Sequence, residues 1–167
     1  GNTVTGYYMR KLLDESNDDF VVNGSYQPWI EFRYAEMMLI YAECLAHEND
    51  FTGAFNTVNE LRKRRFGRED VTSWETALDL ILKERCTELC FEGHRFWDLR
   101  RTGRAASVLG GKKYTGVLWH KQADGTFTHE SVSCDMGAHL YPERFDRFPI
   151  PQDEISNNAL AKQNSDW

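Results

Sequence analysis

The stretch that decides the fold is residues 84–101, which read ERCTELCFEGHRFWDLRR. This signature segment holds four carboxylates and four arginines, interleaved with the large apolar residues Leu89, Phe91, Phe96, Trp97 and Leu99. An ordinary surface helix separates its charged residues from its apolar stripe. Because the two are interleaved here, some of the charges must pack against the core, where a charge is costly unless it is paired. The segment therefore predicts fixed ion pairs.

Spacing indicates how these charges are paired. Glu84, Glu88 and Glu92 recur every four residues and share one face of a helix. Arg85 stands three positions before Glu88, and Arg95 three positions after Glu92. So many carboxylates also suggest a glycosidase, which needs a general acid with a raised pKa. Pairing with arginine has the opposite effect, because it lowers the pKa of a carboxyl group. We assign a structural ion-pair network to Glu84, Arg85, Glu88, Glu92, Arg95, Asp98 and Arg101.

The sequence around this segment is mainly helical. Apolar residues at helical period predict one helix over residues 30–48, with Tyr34, Met37, Met38, Tyr41, Ala42 and Leu45 inward. A second helix, capped by Asp50 or Thr52, extends to about Phe66 and ends at Gly67. The pair fits a tetratricopeptide-type unit or an ordinary antiparallel helix pair equally well. A third helix, with Thr72 and Glu75 as its capping box, leads into the signature segment, and Gly93 predicts a break.

Composition and motifs exclude several classes of function. The length of 167 residues suits a single domain, and a net charge of −6 argues against a nucleic-acid groove. No apolar run approaches the roughly 20 residues that span a bilayer. There is no G-x-S-x-G, H-E-x-x-H, P-loop or G-x-G-x-x-G pattern, so we expect no enzyme.

The cysteines are expected to pack rather than to bind metal. Cys44, Cys86 and Cys90 fall in apolar helical patterns, where a free cysteine behaves as a small buried side chain. Cys86, Cys90 and His94 recur every four residues and offer a metal-site alternative. They match no C-x2-C pattern, however, and no fourth ligand is evident. We expect no metal and no cofactor.

Several pieces of the chain together resemble the C-terminal part of SusD/RagB-family proteins. The pieces are RYAE at 33–36, YAE at 41–43, the signature segment, FPIP at 148–151, and the tail with NN at 157–158 and QN at 163–164. The tail departs from the family, because Ser165-Asp166-Trp167 replaces the usual Pro-Gly-aromatic ending.

The resemblance implies a mainly α fold of tetratricopeptide-like helix pairs with an irregular loop or short hairpin. It divides residues 1–167 into a helical core at about 30–103, a variable region at 104–147, and a PIP segment with tail at 148–167. It also implies that residues 84–101 are architectural. Family members are longer proteins that begin with a lipidated cysteine, so we expect this chain to be a C-terminal region whose anchor lies outside it.

The function implied by the resemblance is nutrient capture without catalysis. The parent protein would be a lipoprotein on the outer-membrane surface of a Bacteroidetes bacterium. It would bind an oligosaccharide for uptake by a SusC-like TonB-dependent transporter. The alternative is a helical-repeat scaffold for protein–protein contact that has no ligand site of its own.

Aromatic and polar residues of the variable region are the candidates for sugar contact. Sugar rings present an apolar face that stacks on flat side chains, while their hydroxyls need polar partners. We expect this mixture, with Gln122 among its members, at Tyr114, Trp119, His120, Asp124 and Phe127. In the simpler interpretation, Trp119 and Phe127 pack a small hairpin onto the helices.

Overall fold

The structure, a computed structural model, describes residues 3–16, 27–62 and 72–167. Contacts divide the chain into two compact units, Arg10–Asp98 and Gly1–Met9 with Leu99–Trp167. The expected continuation of the second helix to Phe66 and its end at Gly67 lie outside the described residues. The expectation of a single domain stays a prediction.

Three helices build the core of the unit of residues 10–98. They are α1 (Tyr34–His47), α2 (Phe51–Leu61) and α3 (Trp74–Glu88). Residues 48–50 connect α1 to α2, and Asp50 caps α2 by accepting a hydrogen bond from the Gly53 N–H at 2.9 Å. The three helices share one apolar core, whose fully buried members are Leu39, Ala42, Ala46, Ala54, Val58, Ala77, Leu80, Ile81 and Leu89.

The buried face of α1 differs from the predicted one. Met38 and Ala42 are buried as expected, but Tyr34, Met37 and Tyr41 are exposed. Two small residues, Ala42 and Ala46, join Leu39 in the core that α1 shares with α2 and α3, and Ala35 and Met38 are buried as well. Close approach of helix axes favours such small side chains, so Tyr34, Met37 and Tyr41 lie on the exposed side of α1.

The third helix begins one residue later than predicted. Ser73, rather than Thr72, is the N-cap, and its side chain accepts a hydrogen bond from the Thr76 N–H. The Thr76 hydroxyl accepts one from the Ser73 N–H in return, so Thr76 replaces Glu75 in the capping box. The Thr76 hydroxyl thus takes the reciprocal role that a Glu or Gln side chain has in the usual capping box. The predicted inner residues of α3, including Leu78, Ile81 and Arg85, are buried.

The predicted break at Gly93 is confirmed. Helix α3 ends at Glu88, and helix α4 (His94–Arg101) begins directly after Gly93. Gly93 has φ +82°, a left-handed conformation that glycine adopts at little cost. Phe91 also adopts a left-handed conformation, with φ +65°, so the turn at residues 89–93 is tightly wound.

The three cysteines predicted to pack in the core are exposed. Cys44, Cys86 and Cys90 all lie on solvent-facing positions. The apolar pattern in the sequence predicted a buried position for each cysteine. The neighbouring leucines, Leu45 beside Cys44 and Leu89 beside Cys90, face the core instead. Among the described residues, no group of three His, Cys, Asp or Glu side chains could hold a metal ion.

The second unit carries an antiparallel β-ribbon, which confirms the predicted hairpin. After α5 (Ala105–Leu109), strand β1 (Thr115–Lys121) pairs with β2 (Phe127–Ser133), with Trp119 opposite His129. A 3₁₀ turn (Glu143–Asp146) and α6 (Gln152–Asn157) follow. No helix in the part of the chain that the structure describes is long and apolar enough to cross a membrane.

The C-terminal tail is anchored by side chains that bind backbone. Gln163 donates to the Ile150 carbonyl and accepts from the Ile150 N–H, both at 2.9 Å, as a neighbouring strand would. The Trp167 indole donates to the Arg144 and Arg147 carbonyls and stacks on Phe145, with ring centroids 5.9 Å apart. Trp167 thus holds the tail although the usual Pro-Gly-aromatic ending is absent.

Gly116 allows the N-terminal segment to lie against β1. The Val117 N–H donates to the Thr5 carbonyl at 2.9 Å. A Cβ at Gly116 would lie 2.5 Å from Thr5 Cα and 2.7 Å from Thr5 O, which are backbone atoms that cannot rotate away.

We expect Gly116→Val to displace this segment and to lower the free energy of unfolding by about 1–3 kcal/mol, the usual cost of overpacking. Limited proteolysis should then cleave within residues 3–9 faster than in the wild type. Gly137→Ala is the control, because a Cβ there has no atom within 4 Å. Equal cleavage rates in the two variants would show that contact at Gly116 does not hold the segment.

Candidate ligand-binding site

The β-ribbon presents an aromatic face. Side chains alternate along each strand, and directly paired residues share a face. Trp119 and Phe127 are half exposed, at 50% and 59%, and the Trp119 and His129 rings lie 5.0 Å apart. The aromatic face consists of Thr115, Val117, Trp119 and Lys121 of β1 and Phe127, His129, Ser131 and Ser133 of β2.

The other face of the ribbon is polar around one exposed leucine. His120 Nε2 lies 3.2 Å from Glu130 Oε1, and Gln122 donates to the Thr128 hydroxyl at 2.7 Å. Leu118 is 47% exposed on the same face. His120 was predicted as a ligand contact. It follows Trp119 directly in β1, and because side chains alternate along a strand, it lies on the face opposite Trp119 and Phe127.

Asp124 and Tyr114, two of the predicted ligand contacts, lie outside the paired strands. Asp124 lies in the turn between the strands, where its carboxylate accepts hydrogen bonds from the Thr126 N–H and hydroxyl. These hydrogen bonds hold the pKa of Asp124 below its ordinary value, and the bond from the Thr126 hydroxyl has the larger effect. Tyr114 precedes β1, and its ring lies 5.1 Å from that of His139. Of the five predicted contacts, the structure brings only Trp119 and Phe127 together on one face.

A cleft that sequence reasoning missed lies in the same unit. Its volume is about 500 Å³, and its walls are Gly110, Gly111, His139, Leu140, Tyr141, Pro142 and Arg144. The Tyr141 hydroxyl donates to Asp146 at 3.0 Å. Burial, and to a smaller extent this hydrogen bond, raises the pKa of Tyr141 above its ordinary value. The paired glycines and the run Leu140-Tyr141-Pro142 were the only signals, and neither indicates a cleft without the fold.

The signature segment uses its buried charges to join helices. Arg85 Nε donates to Asp98 Oδ2 at 2.7 Å, and the two side chains are only 6% and 4% exposed. This ion pair connects α3 to α4 across the turn at Gly93. Arg62, at the end of α2, donates to Glu84 at 2.5 Å, and both side chains are again nearly buried. The partners come from separate helices rather than from neighbouring turns of one helix.

Arg33, the N-cap residue of α1, binds the turn after α3. Its guanidinium donates to the Glu88 carboxylate at 2.8 Å and to the Glu92 carboxylate at 2.6 and 2.9 Å. Lys11 Nζ donates to the Glu88 carbonyl at 2.7 Å and contacts the Glu92 carboxylate. Two cations at the C-terminus of α3 also interact favourably with its helix dipole. Sequence reasoning missed both, since each is more than 50 positions away.

Arg95 does not form the ion pairs with Glu92 and Asp98 that its spacing suggests. Arg95 makes no ion pair with any residue within 3–16, 27–62 or 72–167, although it stands three positions from Glu92 and from Asp98. Glu92 is bound instead by Arg33 and Lys11. Arg101 is exposed in the last turn of α4. His94 Nδ1 lies 3.6 Å from the buried Glu36 carboxylate.

We expect Glu92 to make stability depend on acid pH. Burial raises the pKa of Glu92, but the bonds from Arg33 and Lys11 outweigh it and leave that pKa below its ordinary value. Its contribution is therefore complete above the unfolded pKa of about 4.3 and is lost as the pH falls through the folded pKa. In urea titrations from pH 7 to 3, Glu92→Gln should be less stable at pH 7 and fall less steeply below pH 4.3. Parallel curves would contradict this.

Comparison with known proteins identifies SusD-like relatives. The sequence profile of the SusD family matches residues 1–167. Two curated relatives from Formosa agariphila are similar, SusD-like protein P38, 35% identical over 103 residues, and SusD-like protein P25, 37% identical over 114 residues. These matches cover 54% and 64% of this chain but 20% and 21% of the relatives.

A solved structure agrees with the fold. A SusD-like protein from Bacteroides fragilis aligns with a TM-score of 0.81 and 30% sequence identity, over 99% of this chain and 31% of that protein. This chain therefore spans about a fifth of the curated relatives and about a third of the solved one.

Proposed function

Because this chain belongs to the SusD family, we propose that it is part of a non-catalytic protein that binds oligosaccharides for nutrient uptake. The parent protein lies on the outer-membrane surface, held by a lipid anchor, and delivers its ligand to a SusC-like TonB-dependent transporter. The family membership and the SusD-like names of its relatives support this role.

The aromatic face of the β-ribbon is the observation that carries the binding proposal. Trp119 and Phe127 are diagonal neighbours on paired strands and remain half exposed. Two large aromatic side chains in water forgo much of the stabilisation that burial gives them. A sugar ring stacked on them would remove this surface from water, while His129, Ser131 and Thr115 offer hydrogen-bond partners for its hydroxyls.

The charges of the signature segment argue for structure rather than catalysis. A general acid needs a raised pKa, whereas Arg33 and Lys11 leave the pKa of Glu92 low. The Asp98 side chain is buried and binds Arg85. The carboxylates that invited a glycosidase interpretation are thus bound by cations of the protein itself.

Binding is tested by isothermal titration calorimetry with a panel of oligosaccharides. We expect Trp119→Ala to weaken binding about ten-fold, which corresponds to roughly 1.4 kcal/mol of lost stacking. Leu118→Ala is the matched control, because Leu118 is similarly exposed on the adjacent position of β1 but on the other face. Equal losses for the two variants, or loss for Leu118→Ala alone, would place the ligand elsewhere.

A scaffold role is the second candidate, and the outer side of α1 favours it. Tyr34, Met37, Ile40 and Tyr41 are between 42% and 78% exposed along one helix. Exposed apolar patches of this kind often mark protein contacts. Failure to bind any oligosaccharide, together with tight pairing to the transporter that is lost in Tyr41→Ser, would favour this role over ligand capture.

A further inference from the structure

We propose that the aromatic face of the β-ribbon selects oligosaccharides that carry carboxylate or sulfate groups. This inference rests on the proposed function and names the class of sugar that the site takes. It follows from how the ribbon distributes charge between its two faces.

The aromatic face holds no carboxylate, although the chain is acidic. The whole sequence has 26 Asp and Glu residues against 20 Lys and Arg, yet none of the eight positions on this face is acidic. Its ionisable residues are Lys121 and His129. The one carboxylate within the two strands, Glu130, lies on the other face beside His120.

Lys121 is placed to contact a ligand stacked on the rings. It pairs directly with Phe127 and lies two residues from Trp119, so their Cβ atoms are within roughly 5–8 Å. Lys121 is exposed and makes no ion pair within the described parts of the chain. Asp124, the nearest carboxylate along the sequence, is held in the turn by Thr126. The ammonium group therefore has no acidic partner on its own face.

A stacked sugar ring carries its substituents at its rim. A carboxylate or sulfate at the rim can reach Lys121 while the apolar side of the ring covers Trp119. A neutral sugar makes the same stacking contact without this ion pair. Exposed ion pairs contribute little each, so we expect a preference of about five-fold at low salt rather than absolute selectivity.

The test is calorimetric titration at low ionic strength with three tetrasaccharides: maltotetraose, tetragalacturonate and a sulfated carrageenan tetrasaccharide. At least one acidic probe should bind about five-fold tighter than maltotetraose, and added salt should reduce the difference. Comparing the two acidic probes distinguishes carboxylate from sulfate recognition. Lys121→Met should remove the preference. Lys113→Met, which causes the same change in net charge outside the ribbon, should retain it.

Three outcomes would overturn the inference. Binding of maltotetraose as tight as that of both acidic probes would leave oligosaccharide binding standing and remove the charge selection. An acidic preference that persists in Lys121→Met would assign the selection to another site. Absence of binding for all three probes would overturn the proposed function together with this inference.

Discussion

Replacing Arg85 with leucine is expected to lower the free energy of unfolding by about 3–5 kcal/mol, because it removes the cation that pairs with the buried Asp98 carboxylate. Both side chains are at least 94% buried, so water cannot solvate the charge that remains. Asp98→Leu should have a similar cost, since it leaves the guanidinium without its partner. The pair joins α3 to α4, and either loss should loosen the turn at Gly93.

The matched controls separate pairing from mere substitution. Arg95→Leu should cost less than about 1 kcal/mol, because Arg95 has no ion-pair partner among the described residues. The double variant Arg85→Met/Asp98→Leu should recover most of the loss, since well-packed apolar residues often replace a buried pair without cost. Urea unfolding measures all four variants. A cost for Arg95→Leu equal to that for Arg85→Leu would contradict the pairing described.

Arg33→Met is the second change with a large expected effect, about 2–3 kcal/mol of unfolding free energy. The substitution removes the guanidinium that binds two neighbouring carboxylates, those of Glu88 and Glu92. The Glu92 side chain is 4% exposed and that of Glu88 19%, so solvent screens their repulsion poorly. The substitution also removes one of the two donors to the Glu88 carbonyl, the last of α3.

Lys11→Met is the control for this site. Lys11 contacts the same carbonyl and the same carboxylate but is more exposed, at 34% against 24% for Arg33. It also lacks the planar fork that lets Arg33 hold two carboxylates at once. We expect Lys11→Met to cost about 1 kcal/mol, near the upper end for a partly exposed pair. A larger loss for Lys11→Met than for Arg33→Met would contradict the assignment of Arg33 as the main partner.

Helix content and breaks were predictable because they depend on local sequence. The period of apolar residues located α1, α2 and α3, and Gly93 marked the break because few other residues adopt its backbone conformation. The buried face of α1 was not predictable in the same way. A helix with apolar residues on two sides can pack with either, and only the neighbouring helices decided that Ala35 and Ala46 face inward.

The placement of site residues depended on long-range structure. Alternation along β1 separates His120 from Trp119, but the register that brings Phe127 to the same face requires knowing where the turn begins. Spacing suggested that Arg95 pairs with Glu92. A partner from another helix, Arg33, forms that pair instead, and nothing local to residues 84–101 indicates it.

The central claim is that the ribbon binds the ligand while the signature segment supports the fold. Hydrogen–deuterium exchange, with and without the tetrasaccharide that binds most tightly, tests it most directly. We predict that the ligand slows exchange at residues 115–133 and leaves residues 84–101 unchanged. Protection confined to residues 84–101, with no change in the ribbon, would contradict the account.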